Sequence, residues 1–247
     1  MTRQTVNSPG TAPSGIAVGA SANSHLVYQT VRVNGSGSPG NLRGLTSDGP
    51  KISSPLTAPV KDVATLGNNG LACAALPAGS LTGAWALIQR GTCFYSDKVN
   101  FAQAAGAIGA IIYQSDGIDD FTARMYVQNT GIPAVLIGNT DGKALKTYVG
   151  NNSAATVTVD PAYSAADNPK VNTVATYSGR GPSVGNFAAT RDFALKPELV
   201  APGTNIYTAT QKLDLNSDTY NATGYTTVNG TSYAVPFVAR CGGNGAS

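Results

Sequence analysis

The chain has 247 residues, 42% hydrophobic and only 12% charged, so a core can form while the polar surface must come from Ser, Thr, Asn and Gly. Its net charge of +3 comes from scattered Lys and Arg without a block of like charge, which excludes a basic surface for nucleic acid. No apolar run reaches the length of about 18 residues that a membrane-spanning helix needs, so no membrane partner is expected.

In chain order, Asn7-Ser8-Pro9-Gly10 reads as a turn, and Ile16 to Ala20 as a strand. Val27 to Val33 alternates as a strand does and is followed by a Gly/Ser/Pro loop from Asn34 to Gly40. Trp85 to Ile88 is a short apolar strand that ends in a turn at Arg90-Gly91. A helix is expected over Lys98 to Ala105, with Asp97 as N-cap and Gly106 as its stop. Ile108 to Tyr113 and Ile132 to Ile137 are continuous apolar runs, the pattern of strands buried on both faces.

A polar loop with Asp116, Asp119 and Asp120 lies between those two runs; its spacing is not that of a calcium loop, and it reads as a solvated loop. Asp141 is expected to cap a helix running to Tyr148, and Thr156 to Val159 to form a strand. Alternating strands and helices over this stretch argue for an α/β unit. Beyond it, Thr173 to Tyr177 reads as a strand and Leu199 to Pro202 as a short apolar segment. The chain thus falls into three segments, 1–25, 26–162 and 163–247.

There are three cysteines, Cys73, Cys93 and Cys241, and an odd count forbids full pairing. Cys73 and Cys93 flank one expected strand and are the disulfide candidate, worth roughly 3 kcal/mol in the chain-entropy model; two free thiols are the alternative. No C-x-x-C or C-x-x-H pair occurs, so no metal site is expected. Gly35 to Gly40 fits G-x-G-x-x-G, but no helix pattern follows, and a nucleotide site needs a helix N-terminus there. No cofactor is implied. Asn34, Asn151, Asn221 and Asn229 each open an N-x-S/T triplet, which chance supplies in a chain this rich in those residues.

The segment that points to chemistry is Gly230-Thr231-Ser232-Tyr233-Ala234-Val235-Pro236. Gly permits a sharp turn, Ser232 sits where a helix begins, and Pro236 is expected in the first turn, where a missing N–H is harmless. A hydroxyl there lies beside unpaired N–H groups and the positive end of the helix, a setting that favours an oxyanion. The plain alternative is an ordinary serine cap.

Three further stretches accompany it in order: Asn7 to Ala20, Ser178-Gly179-Arg180-Gly181-Pro182-Ser183, and Leu195-Lys196-Pro197-Glu198-Leu199-Val200-Ala201-Pro202-Gly203. With Gly230 to Ala239 they resemble the subtilisin-like serine proteases, over residues 1–25 and 170–239. The middle of the chain resembles the protease-associated (PA) domain, through Cys73, Arg90-Gly91-Thr92-Cys93-Phe94, Lys98, Ala104 to Ala107, Ile111-Ile112-Tyr113 and Ile132-Pro133-Ala134.

The resemblance implies an α/β fold: a partial subtilisin-like parallel-sheet catalytic domain, 1–25 and 163–247, interrupted by a barrel-like PA domain, 26–162. It implies that Ser232 is the nucleophile and backbone oxyanion donor of a secreted endopeptidase acting on proteins or peptides. The family's triad Asp and His, and its oxyanion Asn, come earlier in the chain, and none of those motifs is present. The only histidine, His25, reads as a surface or junction residue. The implied partner is therefore the missing N-terminal part of the same protease, and the chain alone is expected to be inactive.

Met1 to Gly10 lacks the apolar stretch of a signal peptide, so secretion implies a start upstream. The family has His at the place of Phe237 and Met at that of Tyr233. It continues as an apolar helix where Arg240 to Ser247 has poor helix propensity, so a truncation or frame change is expected there. Residues 163–247 are expected to be poorly packed on their own, with apolar faces bare. A binding module whose only working part is the PA domain is the second reading. A serine hydrolase of another class would need G-x-S-x-G, which is absent.

Overall fold

The computed structural model describes every residue except 1–5, 119, 124, 185–192, 215–216, 218–219, 222 and 244–247. In chain order the elements are β1 (Val18–Ala22), β2 (His25–Asn34), β3 (Asn41–Thr46), β4 (Leu56–Asp62), a 3-10 turn (Val63–Leu66), β5 (Trp85–Gln89) and α1 (Tyr95–Ala104). They continue with β6 (Gly109–Tyr113), β7 (Ala134–Ile137), α2 (Asn139–Asn151), β8 (Thr156–Asp167), β9 (Ser183–Val184) and β10 (Phe193–Ala194). Last come β11 (Leu199–Thr204), β12 (Ile206–Ala209), β13 (Tyr225–Val228) and α3 (Thr231–Gly243). Two compact units form: one of residues 1–27, 165–208 and 226–247, the other of 28–164 and 209–225.

The second unit is a closed barrel of seven strands in the order β2-β3-β7-β6-β5-β4-β8. β4, β5, β6 and β7 run parallel, and the remaining observed pairings are antiparallel. Alternate residues of the three central strands face two different cores. Trp85, Leu87, Ile111, Tyr113, Val135 and Ile137 point to a cluster fed by all seven strands, the barrel interior. Ala86, Ile88, Ala110, Ile112, Ala134 and Leu136 point to a second cluster with Val99, Ala102 and Ala105 of the α1 region. Both faces are covered, which is why these strands read as unbroken apolar runs rather than alternating ones.

Gly109 is required by this packing. A Cβ there would lie 2.1 Å from the Trp85 ring, so the indole occupies the space a side chain would need. Gln29 keeps the alternation of β2 at a buried place by bonding to the strands on either side: its amide donates to the Pro161 carbonyl of β8 at 3.0 Å and its oxygen accepts from Thr46 N–H of β3 at 2.9 Å.

In the first unit β1 and β11 pair in parallel, and α3 packs on both. Among the described residues, the apolar ones buried in this unit are Ala17, Ala20, Val27, Ala175, Ala201 and Ala234, while Leu195, Leu199, Val200, Tyr233, Val235 and Phe237 are exposed.

Several local expectations differ. Asp97 does not cap α1: Phe94 occupies the cap in extended geometry without a side-chain bond, and Asp97 sits in the first turn, where its charge meets the positive end of the helix. Asp141 likewise lies in the first turn of α2, behind Gly138 at the cap. Residues 173–177 make no strand, only a single bridge from Val174 to Ser21. The strands β3 and β4 carry Arg, Asn, Pro and Lys on one face and gave little apolar signal.

Pro236 is the sixth residue of α3, in its second turn rather than its first. The helix also continues through Arg240, Cys241 and Gly242 to Gly243, where each residue added to the formed helix contributes a further backbone hydrogen bond. Residues 244–247 of the expected break, and 1–5 of the segment read for a leader, lie outside the described residues.

Candidate functional site

The Ser232 region is built from the turn upward. Gly230 N–H donates to the Gly203 carbonyl at the end of β11, at 2.8 Å. The Tyr177 hydroxyl donates to the same oxygen at 2.6 Å. Asn205 N–H donates to Asn229 Oδ1 at 2.6 Å, so the two residues before α3 are held from both sides. Gly203 cannot carry a side chain: a Cβ would lie 2.7 Å from Ala20 Cβ and 2.8 Å from the Gly230 carbonyl oxygen. Ser232 then falls at the second residue of α3 and is exposed, not at the cap, and Ala234 is buried.

The motif residues 195–203 acquire physical roles. Lys196, 4% exposed, pairs with Glu198 and donates to the Gly15 carbonyl. Glu198 accepts from Ala17 N–H at 2.8 Å. The Lys196 hydrogen bond holds the Glu198 carboxyl below its ordinary value. This lock fixes the start of β11 beside residues 15–17, ahead of β1. Ser178 Oγ accepts from Ala20 N–H at 3.0 Å along the edge of β1.

Asn205 was missed by sequence reasoning. It is 1% exposed with a left-handed backbone, φ 49°, and its side-chain amide bonds both the N–H and the carbonyl of Val27, substituting for a strand neighbour. Its one sequence signal is an Asn two positions beyond the Pro202-Gly203 pair, since Asn tolerates that backbone region. His25 meets Asp167 at 3.5 Å, and both side chains are largely exposed, so this is a surface pair.

The second candidate lies in the barrel unit. A cleft of about 720 Å³ opens at the carboxyl ends of β5 and β6, lined by residues 90–96 with Ser115, Ile118, Tyr126 and Gln128. Parallel strands commonly present ligand sites at this end. Arg90 N–H donates to the Tyr113 carbonyl at 2.8 Å, its guanidinium donates to Gln114 Oε1 at 2.7 Å, and it stacks 5.6 Å from the centre of the Tyr95 ring. Burial pushes the Tyr95 hydroxyl up, with Arg90 pulling the other way. Phe94 is 80% exposed at the rim, with Tyr126 at 54%.

Cys73 and Cys93 are joined by a disulfide, and Cys93 lines this cleft. Cys241 is free and exposed. Behind the bridge, Lys98 is fully buried; its ammonium donates to the Leu71 carbonyl at 2.5 Å and lies 3.6 Å from Cys73 Sγ. Loss of hydration pulls Lys98 down to about 8.

Of the acidic loop, Asp116 pairs with Lys143 at 3.0 Å and Asp120 accepts from Thr122; Asp119 lies outside the described residues. No group of acidic, His or Cys side chains with metal-ligand geometry occurs among the described residues. No helix among them is long and apolar enough to cross a membrane.

Residues 52–145 match the family model described as "PA domain". The chain carries a PA domain. Its wider similarity is to subtilisin-like proteases. It is 28% identical over 241 residues to the PI-type proteinase of Lactococcus lactis subsp. cremoris, covering 95% of this chain and 12% of that protein. It is 31% identical over 150 residues to Subtilisin-like protease SBT3.4 of Arabidopsis thaliana, covering 58% of this chain and 17% of that one. With the Minor extracellular protease Vpr of Bacillus subtilis it shares 26% over 245 residues, covering 95% of this chain and 26% of that one. The chain thus spans between 12% and 26% of the length of these relatives.

Proposed function

We propose that the chain is a piece of a secreted subtilisin-like serine endopeptidase in which Ser232 attacks the peptide carbonyl and forms an acyl-enzyme. The observation that carries this is the setting of Ser232: an exposed hydroxyl at the second residue of α3, behind a turn pinned to the end of β11. The proton on Ser232 needs an imidazole, and the backbone N–H groups at the start of α3 can receive the developing oxyanion. His25, on the surface beside Asp167, does not fit that role. In this proposal the imidazole, its carboxylate and the oxyanion Asn come from a catalytic segment upstream of these residues, the chain's principal partner.

Residues 1–25 and 163–247 are then parts of the catalytic domain, with 26–162 inserted as the PA domain. Its proposed part is contact with protein or peptide substrates. The cleft favours that role: exposed aromatic surface at Phe94 and Tyr126 beside the fixed cation of Arg90 suits an extended peptide with an apolar side chain.

The test is labelling with a fluorophosphonate probe. The chain alone should label no more than its Ser232→Ala variant. Co-expressed with the in-frame upstream segment, it should label, and Ser232→Ala should lose that label by several powers of ten. Equal labelling of both proteins in the complemented pair would overturn the assignment.

A further inference from the structure

The Lys98 ammonium lies where an ammonium is costly. Buried charges are ordinarily paired, yet among the described residues no carboxylate lies within ion-pair distance of it; the neighbouring Asp97 acts on it only through space and does not offset the loss of hydration. Its contacts are one carbonyl, that of Leu71, and the sulfur of Cys73. A disulfide sulfur is a weak acceptor, whereas a thiolate at the same place is a full counter-ion. Both cysteines are half-buried, but of the two it is Cys93 that lines the open cleft, beside Gly91, Thr92 and Phe94. One half of the bridge thus lines a cleft open to solutes, and the other is backed by a cation with no carboxylate in contact.

We propose that the Cys73–Cys93 bridge is a thiol-exchange site, attacked at Cys93 from the cleft by a small thiol or dithiol, with Cys73 leaving as a thiolate paired with Lys98. The attacking thiolate forms a bond to Cys93 Sγ as the bond between the two cysteines breaks, and that bond's electron pair passes to Cys73 Sγ. A second thiol equivalent then attacks the mixed disulfide, frees Cys93, which takes a proton from water, and leaves the reagent as its own disulfide. Two electrons have moved from reagent to protein. The direction of attack follows from leaving-group chemistry: the sulfur whose thiolate is better stabilised leaves faster. The inference is independent of the role of Ser232.

The test uses the oxidised full chain with excess reduced glutathione, quenched in acid and mapped by peptide mass spectrometry. The glutathione adduct should sit on Cys93 in at least about tenfold excess over Cys73. An adduct equal on the two, or larger on Cys73, overturns the proposal. The second arm reduces the chain and follows alkylation of Cys73 by iodoacetamide against pH. Cys73 should titrate at least about one unit below the ordinary thiol value near 8.5, tenfold more thiolate at neutral pH. Lys98→Arg should keep that behaviour and Lys98→Met lose it. Because the wild-type profile is read directly, a variant that fails to fold does not block the test, and a wild-type Cys73 titrating at or above 8.5 sinks the idea.

Discussion

Parallel strands occur in both units, and they are clothed differently. In β5, β6 and β7 the residues facing either way are buried, with Trp85, Leu87, Ile111 and Ile137 on one side and Ile88, Ile112 and Leu136 on the other. In β1 and β11 the buried apolar residues are alanines, while Leu199 and Val200 stay exposed, as do Val235 and Phe237 on the helix that packs there. The same backbone arrangement is self-sufficient in one place and short of cover in the other. A parallel sheet needs both faces buried, and alanines remove little area from water. The barrel unit therefore carries the larger share of apolar burial, and the unit holding Ser232 is the one whose order depends on further cover.

Amide exchange tests this contrast with the largest expected difference. The amides of β5, β6 and β7 should open only with global unfolding, while those of β11 and α3 should open at a free energy lower by at least about 3 kcal/mol. Equal protection throughout 170–239 would mean that the alanine-lined pair is stable as it stands.

Single substitutions give the next largest effect. Trp85→Ala should cost about 3–5 kcal/mol in denaturant unfolding followed by circular dichroism, because it empties a fully buried site against Gly109. Leu195→Ala, at a side chain 88% exposed, should move the midpoint by no more than about 0.5 kcal/mol. A Leu195 effect comparable with that at Trp85 would show the two units to be equally well packed.

Legibility in the sequence followed the same division. The central strands were visible because two buried faces leave an unbroken apolar run, as at Ile108 to Tyr113. The strands β3 and β4 were not, since only one face of each is buried, and Gly44, Ala58 and Asp62 on those faces give little apolar signal. Around Ser232, the Gly-Thr-Ser turn could be read from residue types, but the atoms that hold it could not. The bond from Gly230 to Gly203 and that from Asn205 to Asn229 join residues more than twenty positions apart. Asn205 itself acts through a rare backbone conformation that no periodicity reports. Both helix caps differ from expectation in one way: Asp97 and Asp141 lie inside the first turn, while Phe94 and Gly138 occupy the caps.

A smaller effect than that of Trp85→Ala is a pH dependence confined to the barrel unit. Lys98 has its folded value pulled below the ordinary lysine range, to about 8, by loss of hydration. Below pH 8 the group is charged in both folded and unfolded chains, and the folded state bears the cost of a buried ammonium. From about pH 8 to the ordinary lysine value near 10.4 the unfolded chain binds the extra proton, so stability rises with pH. Compared with Lys98→Met in the oxidised protein, the wild type should gain on the order of 2 kcal/mol between pH 7.5 and 9.5. Denaturant midpoints at the two pH values measure it. A difference that stays flat would mean that Lys98 already has an anionic partner in the disulfide form, and the argument for a thiolate at Cys73 would lose its driving force.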